Sequence, residues 1–304
     1  MKVRFAASPI AMLAIAAAIV SLAAPTAAIA QDGGDGQVAS EPDGALDLDF
    51  ENSVFNGDFL VVGAAPVFAP SYEGSDDLAV MPGIGIAGRI AGIGISPRAA
   101  GASFDLLREK KGARQGFSFG PVIRYRSNRT GKTHDEVVDK LEKLPGVVEL
   151  GFVAGVDFKG VLNPYDSLSM STDVRFDVSG HGGGTIIAPG VSYITPISRG
   201  DVVGAAISAS FVDDSYAHYN YSVSPDGAAA SGLPAYVAHG GFKDISVGAF
   251  VGHDLDGNLL NGGFAIGGGV MFSRLFGSAA DSPITSIRGK ASQWIFGVGL
   301  AYVF

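Results

Sequence analysis

The side chains able to do chemistry in this chain are few and scattered. There are five histidines (His134, His181, His218, His239 and His253) and no cysteine, so thiolate metal sites, thiol nucleophiles and disulfides are excluded. Asp213-Asp214 and His253-Asp254 could together supply the paired aspartates and His–Asp relay of a barrel protease. Such a relay needs hydrogen-bond reach, so it depends on whether the two pairs meet at one end of the fold. A barrel lipase would need serine, histidine and an orienting polar residue on adjacent strands near one interface. Asp254-Leu255-Asp256-Gly257-Asn258 resembles the opening of a calcium loop. The glutamate at the twelfth position and the flanking helices are missing, however, and Asp-Gly is a hairpin-turn signal, so it reads as a turn. The remaining candidates are charges set singly among apolar residues: Arg124, Arg126, Glu149, Asp157, Asp173, Arg175 and Asp177. What they can do depends on the faces they occupy.

Those faces follow from a period of two. In Ser292–Phe304, Trp294, Phe296, Val298, Leu300, Tyr302 and Phe304 alternate with Gln293, Ile295, Gly297, Gly299, Ala301 and Val303. Successive side chains of a strand point to opposite faces, so this is a strand with two different environments. Val148, Leu150, Phe152, Ala154, Val156 and Phe158 likewise oppose Glu149, Gly151, Gly155 and Asp157, and Leu168, Met170, Val174 and Phe176 oppose Ser169, Ser171, Asp173 and Arg175. The candidate charges all fall on the small, polar face.

Composition decides what covers the other face. Glycine accounts for 44 of 304 residues, apolar residues for 47% and charged residues for only 17%. That is too few charges for an ordinary water-facing surface and too much apolar content for disorder. The net charge of −9 excludes a nucleic-acid partner. Met1 to Ala30 has basic residues (Lys2, Arg4), an apolar run and a small-residue exit, Ala28-Ile29-Ala30, before Gln31. This is the pattern of a signal peptide cleaved between Ala30 and Gln31. Nothing after Gln31 has the roughly 20 apolar residues of a membrane-spanning helix. An exported, apolar chain with alternating strands fits an all-β antiparallel transmembrane barrel better than a soluble sandwich.

Twelve strands are expected, at about 59–69, 79–88, 90–97, 101–107, 115–126, 147–158, 166–178, 183–194, 201–213, 240–252, 259–274 and 291–304. Ten remain possible, because the third and fourth are the weakest. Phe304, with Tyr302 two residues earlier, resembles the aromatic end signal read by the barrel-assembly machinery. With Phe304 in the periplasm, connections near 108–114, 159–165, 195–200 and 253–258 become short periplasmic turns, and those at 127–146, 214–239 and 275–290 become long external loops. Outer-membrane lipid then surrounds residues 57–304. The seven inward charges form either a lumen-plugging salt-bridge network or the lining of a narrow selective pore. The two aspartate groupings fall at opposite rims, which removes the relay, and no enzyme, cofactor or metal is expected. Residues 31–56 are acidic and Gly-rich and read as a disordered periplasmic tail. In the 127–146 loop, Thr133 could cap a helix carrying Val137, Val138, Leu141 and Leu144, stopped by Pro145 and folded over the barrel mouth. Tyr216, Tyr219, Tyr221 and Tyr236 are expected in the interfacial aromatic girdle, or on the contact surface of an adhesin.

Five segments carry a family resemblance: Pro70–Asp77 (PSYEGSDD), Ala209–Tyr216 (ASFVDDSY), Ser231–Tyr236 (SGLPAY), Gly240–Asp244 (GGFKD) and Asp281–Ile284 (DSPI). In this order, ahead of the terminal Phe304, they make the chain resemble the MltA-interacting protein / OmpV family of outer-membrane proteins. The resemblance covers about Phe59 to Phe304 and implies a non-enzymatic barrel. One branch of that family is associated with a scaffold joining a murein lytic transglycosylase to a murein synthase; others are linked to envelope stress, adhesion or antibiotic response. The resemblance therefore implies murein enzymes as partners. The best candidates for that contact are the acidic tail and the basic turn Arg108–Arg114, the latter reading first as an ordinary solvated turn, with a small-solute channel or an adhesin as alternative functions.

Overall fold

The computed structural model describes residues 46, 48–50, 52–108 and 113–304. The signal sequence with Ala30 and Gln31, most of the acidic tail and the centre of the basic turn lie outside the described residues. Twelve strands form: β1 (Phe59–Pro70), β2 (Leu78–Ile90), β3 (Ile93–Arg98), β4 (Gly101–Asp105), β5 (Gln115–Arg126), β6 (Val147–Lys159), β7 (Ser167–Asp177), β8 (Thr185–Pro196), β9 (Asp201–Val212), β10 (Gly241–Asp254), β11 (Gly263–Leu275) and β12 (Ser292–Val303). Each pairs antiparallel with its sequence neighbours, and β12 returns to β1 with Val61 opposite Val303, closing the barrel. The third and fourth strands are real but short, which is why their sequence signal is weak.

Closure lets the backbone satisfy its hydrogen bonds within the chain, as a bilayer demands. One stretch departs from this. β2 meets β3 only through Gly88↔Ile95, Arg89↔Gly94 and Ile90↔Ile93, whereas its pairing with β1 runs the whole way from Phe59↔Arg89 to Pro70↔Leu78. Leu78–Ala87 therefore pairs on one side only.

The outward face is apolar and exposed, with Val80, Ile84, Phe117, Phe264, Val298 and Leu300 among its members. Short turns and the chain end gather at one rim (the turn rim). The connections 71–77, 127–146, 213–240 and 276–291 gather at the other (the loop rim). Aromatic contacts mark both: Phe272 lies 5.0 Å from Trp294 near the loop rim, and Tyr302 lies 4.7 Å from Phe264 and 4.6 Å from Phe304 at the turn rim.

The inward face has two characters. One register line passes through Ser118, Gly155, Ser171, Gly190, Ser208, Ser246, Ser273 and Gln293, from β5 to β12. The wall of β12, β1 and β2 is instead apolar, where Val61, Val67, Met81, Ile295 and Ala301 pack with Phe55. The lumen is thus not uniformly polar. Space inside is short at some points: a Cβ on Gly151 would lie 1.8 Å from the Val174 carbonyl oxygen, so this position, beside Glu149, requires glycine. Residues expected as tail begin packing before the barrel starts. Leu48 and Phe50 are buried, the Leu48 N–H donates to the Tyr165 hydroxyl (3.3 Å), and the Val54 N–H donates to the Leu260 carbonyl (2.9 Å). This strap crosses the turn rim from the β6–β7 turn to the β10–β11 turn.

Candidate functional site

Four of the seven candidate charges meet inside the barrel towards the loop rim, because adjacent strands place them side by side. Glu149 on β6 accepts from Arg126 Nε on β5 (2.6 Å) and from Arg175 Nε on β7 (3.1 Å). Arg175 Nη1 continues to Asp173 (3.0 Å), which also takes Arg98 Nε from β3 (2.9 Å). Arg126 spends its other donors on Asn220 Oδ1 (2.8 Å) and the Gly183 carbonyl (2.9 Å). Every guanidinium in this chain of contacts has a carboxylate, which offsets the cost of burying it. Alternation does not mark Arg98, because β3 is only six residues long.

A second ionic group faces it across the lumen. Lys243, at a bulge within the β9–β10 pairing, bonds to Glu73 and to Asp244 (2.9 Å). Tyr216 joins the two groups. Its ring lies 4.3 Å from the Arg126 guanidinium and 5.5 Å from Lys243 Nζ, a double cation–π contact in a site where Tyr216 is only 2% exposed. Helix α1 (Asp214–Tyr221) positions that ring, and Asp213 Oδ1 caps the helix by accepting from the Tyr216 N–H (2.8 Å). Asp213 is thereby a structural cap.

Above this centre the loops lock together. Tyr72, Val138, Leu141, Val223, Leu233 and Ile284, drawn from four connections, form one buried cluster. The Tyr72 hydroxyl donates to the Arg288 carbonyl (3.1 Å), Ser282 Oγ to the Tyr221 carbonyl (2.6 Å), and Gln293 Nε2 to the Ser75 carbonyl (3.0 Å). Helix α2 (Pro225–Ser231) and the short turns α3 (Gly277–Asp281) and α4 (Pro283–Ser286) fill the remaining space. The five segments that carry the family resemblance supply Tyr72 and Glu73, Tyr216, Leu233 and Tyr236, Lys243 and Asp244, and Ser282 and Ile284. They converge on this plug.

Two loop expectations need correction. The 127–146 loop holds no helix from Thr133, only a single 3-10 turn, Val138–Lys140. Asp135, not Thr133, captures the free amides there, accepting from the Val137 (2.7 Å) and Val138 (3.1 Å) N–H groups. Burial of Val138 and Leu141 against neighbouring loops replaces helical hydrogen bonding. The tyrosines are not a girdle: Tyr216 and Tyr221 are buried in the plug, and the Tyr236 hydroxyl donates to the Ser278 carbonyl (3.2 Å). An adhesin surface built on these rings loses its principal members.

The other candidates lie elsewhere. Arg124 points inward, and its Nε has no partner among the described residues. Asp177 orders the turn after β7, accepting from the N–H groups of Ser179 (2.7 Å), Gly183 (2.8 Å) and His181 (3.1 Å). Asp157 accepts from Ser169 in the half of the barrel nearer the turn rim. That half encloses a cavity of about 780 Å³, lined by Ser96, Ser118, Ser171, Ser192, Ser208 and Phe250 and reached by Arg89 and Arg108 near the rim.

Asp213-Asp214 and His253-Asp254 do sit at opposite rims. His253 is strand-borne, at the end of β10, and its Nδ1 contacts Asp201 (2.8 Å). His239 lies in the loop just before β10. Ser222 Oγ lies 2.9 Å from His218 Nδ1, but the pair is exposed and His218 meets no carboxylate among the described residues. Asp254 accepts from the Asp256 (3.0 Å) and Asn258 (3.2 Å) amides, so that stretch is a turn. Among the described residues no cluster of histidine and carboxylates suited to a metal forms.

Comparison with known proteins gives a family-model match, described as MltA-interacting protein MipA, over residues 62–304. No curated protein sequence matches. Among solved structures, the chain is similar to the outer membrane channel DcaP of Acinetobacter baumannii (14% identity, 73% of this chain and 58% of that chain, TM-score 0.36). It is also similar to an anion-selective porin from Comamonas acidovorans (8% identity, 81% and 98%, TM-score 0.38).

Two measurements check the plug. Glu149→Gln strips Arg126 of its one carboxylate partner among the described residues, and the loss is expected to be about 3–5 kcal/mol in urea unfolding of the reconstituted barrel. A midpoint equal to wild type would show that the network carries no stability. Burial opposes ionisation of Asp135, but Arg288 (2.9 Å) and the two amides outweigh it and hold its carboxyl low. A depressed carboxyl contributes stability above its unfolded value, and that contribution disappears as pH falls through the folded one. Hydrogen exchange of residues 127–146 is expected to stay slow at neutral pH and to accelerate below about pH 4. Asp135→Asn should be fast at both.

Proposed function

The chain belongs to the MltA-interacting protein MipA family, and from that premise we propose that it is a non-conducting scaffold joining murein-cleaving and murein-synthesising enzymes at the outer membrane. It is an outer-membrane β-barrel of a Gram-negative envelope. The family description, which names an interaction with MltA, carries this reading. The closed loop rim supports it, since a plugged barrel offers its partners a surface and not a path.

In outer-membrane barrels the short turns face the periplasm, where murein enzymes work, so the turn rim is the docking side. Part of that rim is rigid and apolar. Asp166, fully buried, accepts from the N–H groups of Val161 (2.6 Å), Leu162 (2.7 Å) and Asn163 (3.0 Å) and from the Tyr193 hydroxyl (2.8 Å). Four bonds to one carboxylate fix the β6–β7 turn with Leu162 held out at 78% exposure. A preorganised apolar side chain binds with little ordering cost. The described ends of the two expected contact regions adjoin it: the Leu48 N–H donates to the Tyr165 hydroxyl, and the Lys159 N–H donates to the Arg114 carbonyl (2.8 Å). A small-solute channel is the second reading, and the cavity in the turn-side half favours it.

Affinity capture of the tagged protein from crosslinked cells is expected to recover a murein lytic transglycosylase and a murein synthase. Leu162→Asp should lower that yield while the barrel still migrates as the compact, unheated form. Recovery of neither enzyme from wild type overturns the scaffold.

A further inference from the structure

The barrel wall has a seam. β2 runs from Leu78 to Ala87 with β1 as its one partner, and β3 from Ser96 to Arg98 with β4 as its one partner. The two-residue turn at Ala91-Gly92 makes Ile90 and Ile93 a hydrogen-bonded pair, so alternate residues above them, Val80, Ile84 and Ile86, aim their backbone groups into the seam. Val80 and Ile84 are 61% and 64% exposed.

The sequence keeps this seam from zipping shut. Pro82 on β2 and Pro97 on β3 both fall at positions whose N–H would face the seam, and neither has one. The Pro97 carbonyl is met instead by Arg98 Nη1 of its own strand (3.0 Å). Prolines on both edges also blunt strand addition by another chain. What fills such a gap in a bilayer must therefore be something other than a β-strand.

The seam adjoins the cavity, whose lining includes Ala87, Gly88, Ile95 and Ser96 at its foot. The loop rim is plugged and the strap crosses the turn rim, so the seam is a side entrance. Ser118, Ser171, Ser192 and Ser208 line that space with hydroxyls, and Arg89 reaches it too, where Asp58, Asp105 and Asp157 also contribute but none of the described ion pairs involves Arg89. Guanidinium and hydroxyl groups within, and hydrocarbon without, suit a molecule with an anionic head and an apolar tail. We propose that the β2–β3 seam is a lateral opening that admits an anionic phospholipid from the bilayer, its head held near Arg89 and an acyl chain threaded between β2 and β3.

The test uses the full-length barrel in vesicles of phosphatidylglycerol with brominated acyl chains, which quench indole on contact. The chain has a single tryptophan, so Trp294→Phe gives a silent background. In it, Ser118→Trp or Ser171→Trp reports the cavity and Ile123→Trp reports the lipid-facing surface. The cavity indoles are expected to be quenched to an extent comparable with the surface one, and less in phosphatidylcholine. A disulfide across the seam, Ile86→Cys with Pro97→Cys, should abolish cavity quenching and spare the surface signal. Cavity indoles that stay bright while the surface indole is quenched, or quenching indifferent to the disulfide, would overturn the proposal. Should the cavity tryptophans prevent folding, phosphatidylglycerol retained by detergent-extracted wild type and lost from the disulfide-closed form makes the same distinction; equal retention counts against it.

Discussion

Glu149 is the carboxylate on which the closed end of the barrel depends. It lies buried between Arg126 and Arg175, with one oxygen for each. An ion removed from water costs several kcal/mol unless its partners are near and its hydrogen bonds are met. Here each partner meets the demand of the next: Arg175 passes to Asp173, Asp173 to Arg98, and Arg126 to Asn220 in the loop above. Because Asn220 belongs to α1, satisfying Arg126 also draws the 213–240 loop into the lumen. That brings Tyr216 over the guanidinium and against Lys243, so the two ionic groups share one ring. The plug thus begins as a problem of charge burial and ends as a loop arrangement.

The two inner walls suit this division of labour. Small hydroxylated and glycine residues along one register line leave room and hydration on the β5–β11 side. The apolar β12–β1–β2 wall packs against Phe55 and needs neither. The space left over is the cavity in the turn-side half. Its neighbours β3 and β4 are the shortest strands of the barrel, so the wall is thinnest in backbone pairing beside the cavity.

Much of this fold is legible in the sequence, and for a physical reason. Lipid on one face and a crowded lumen on the other impose a period of two, as the alternation through Ser292–Phe304 shows, and twelve strands can be drawn from it within a few residues. The Arg126–Glu149–Arg175–Asp173 group is legible too, because its members share the inward face of neighbouring strands, where Arg126 and Arg175 reach Glu149 diagonally, two residues from its direct partners Arg124 and Asp177. What the alternation cannot show is pairing between distant segments. Lys243 and Glu73 are 170 positions apart, and Tyr216 reads equally well as an interfacial tyrosine until the loop is seen to turn inward. The 127–146 loop misleads because helical spacing of Val137, Val138 and Leu141 also serves a compact loop that buries them against Tyr72 and Ile284. The five short segments behind the family resemblance mark the loop part of the plug, but their spacing alone does not place them together.

Planar-bilayer recording of the purified wild-type barrel at neutral pH tests the closed plug most directly. A lumen stoppered by the Glu149 network and the interlocked loops gives a silent bilayer. Steady, discrete conductance steps from the intact protein would contradict it.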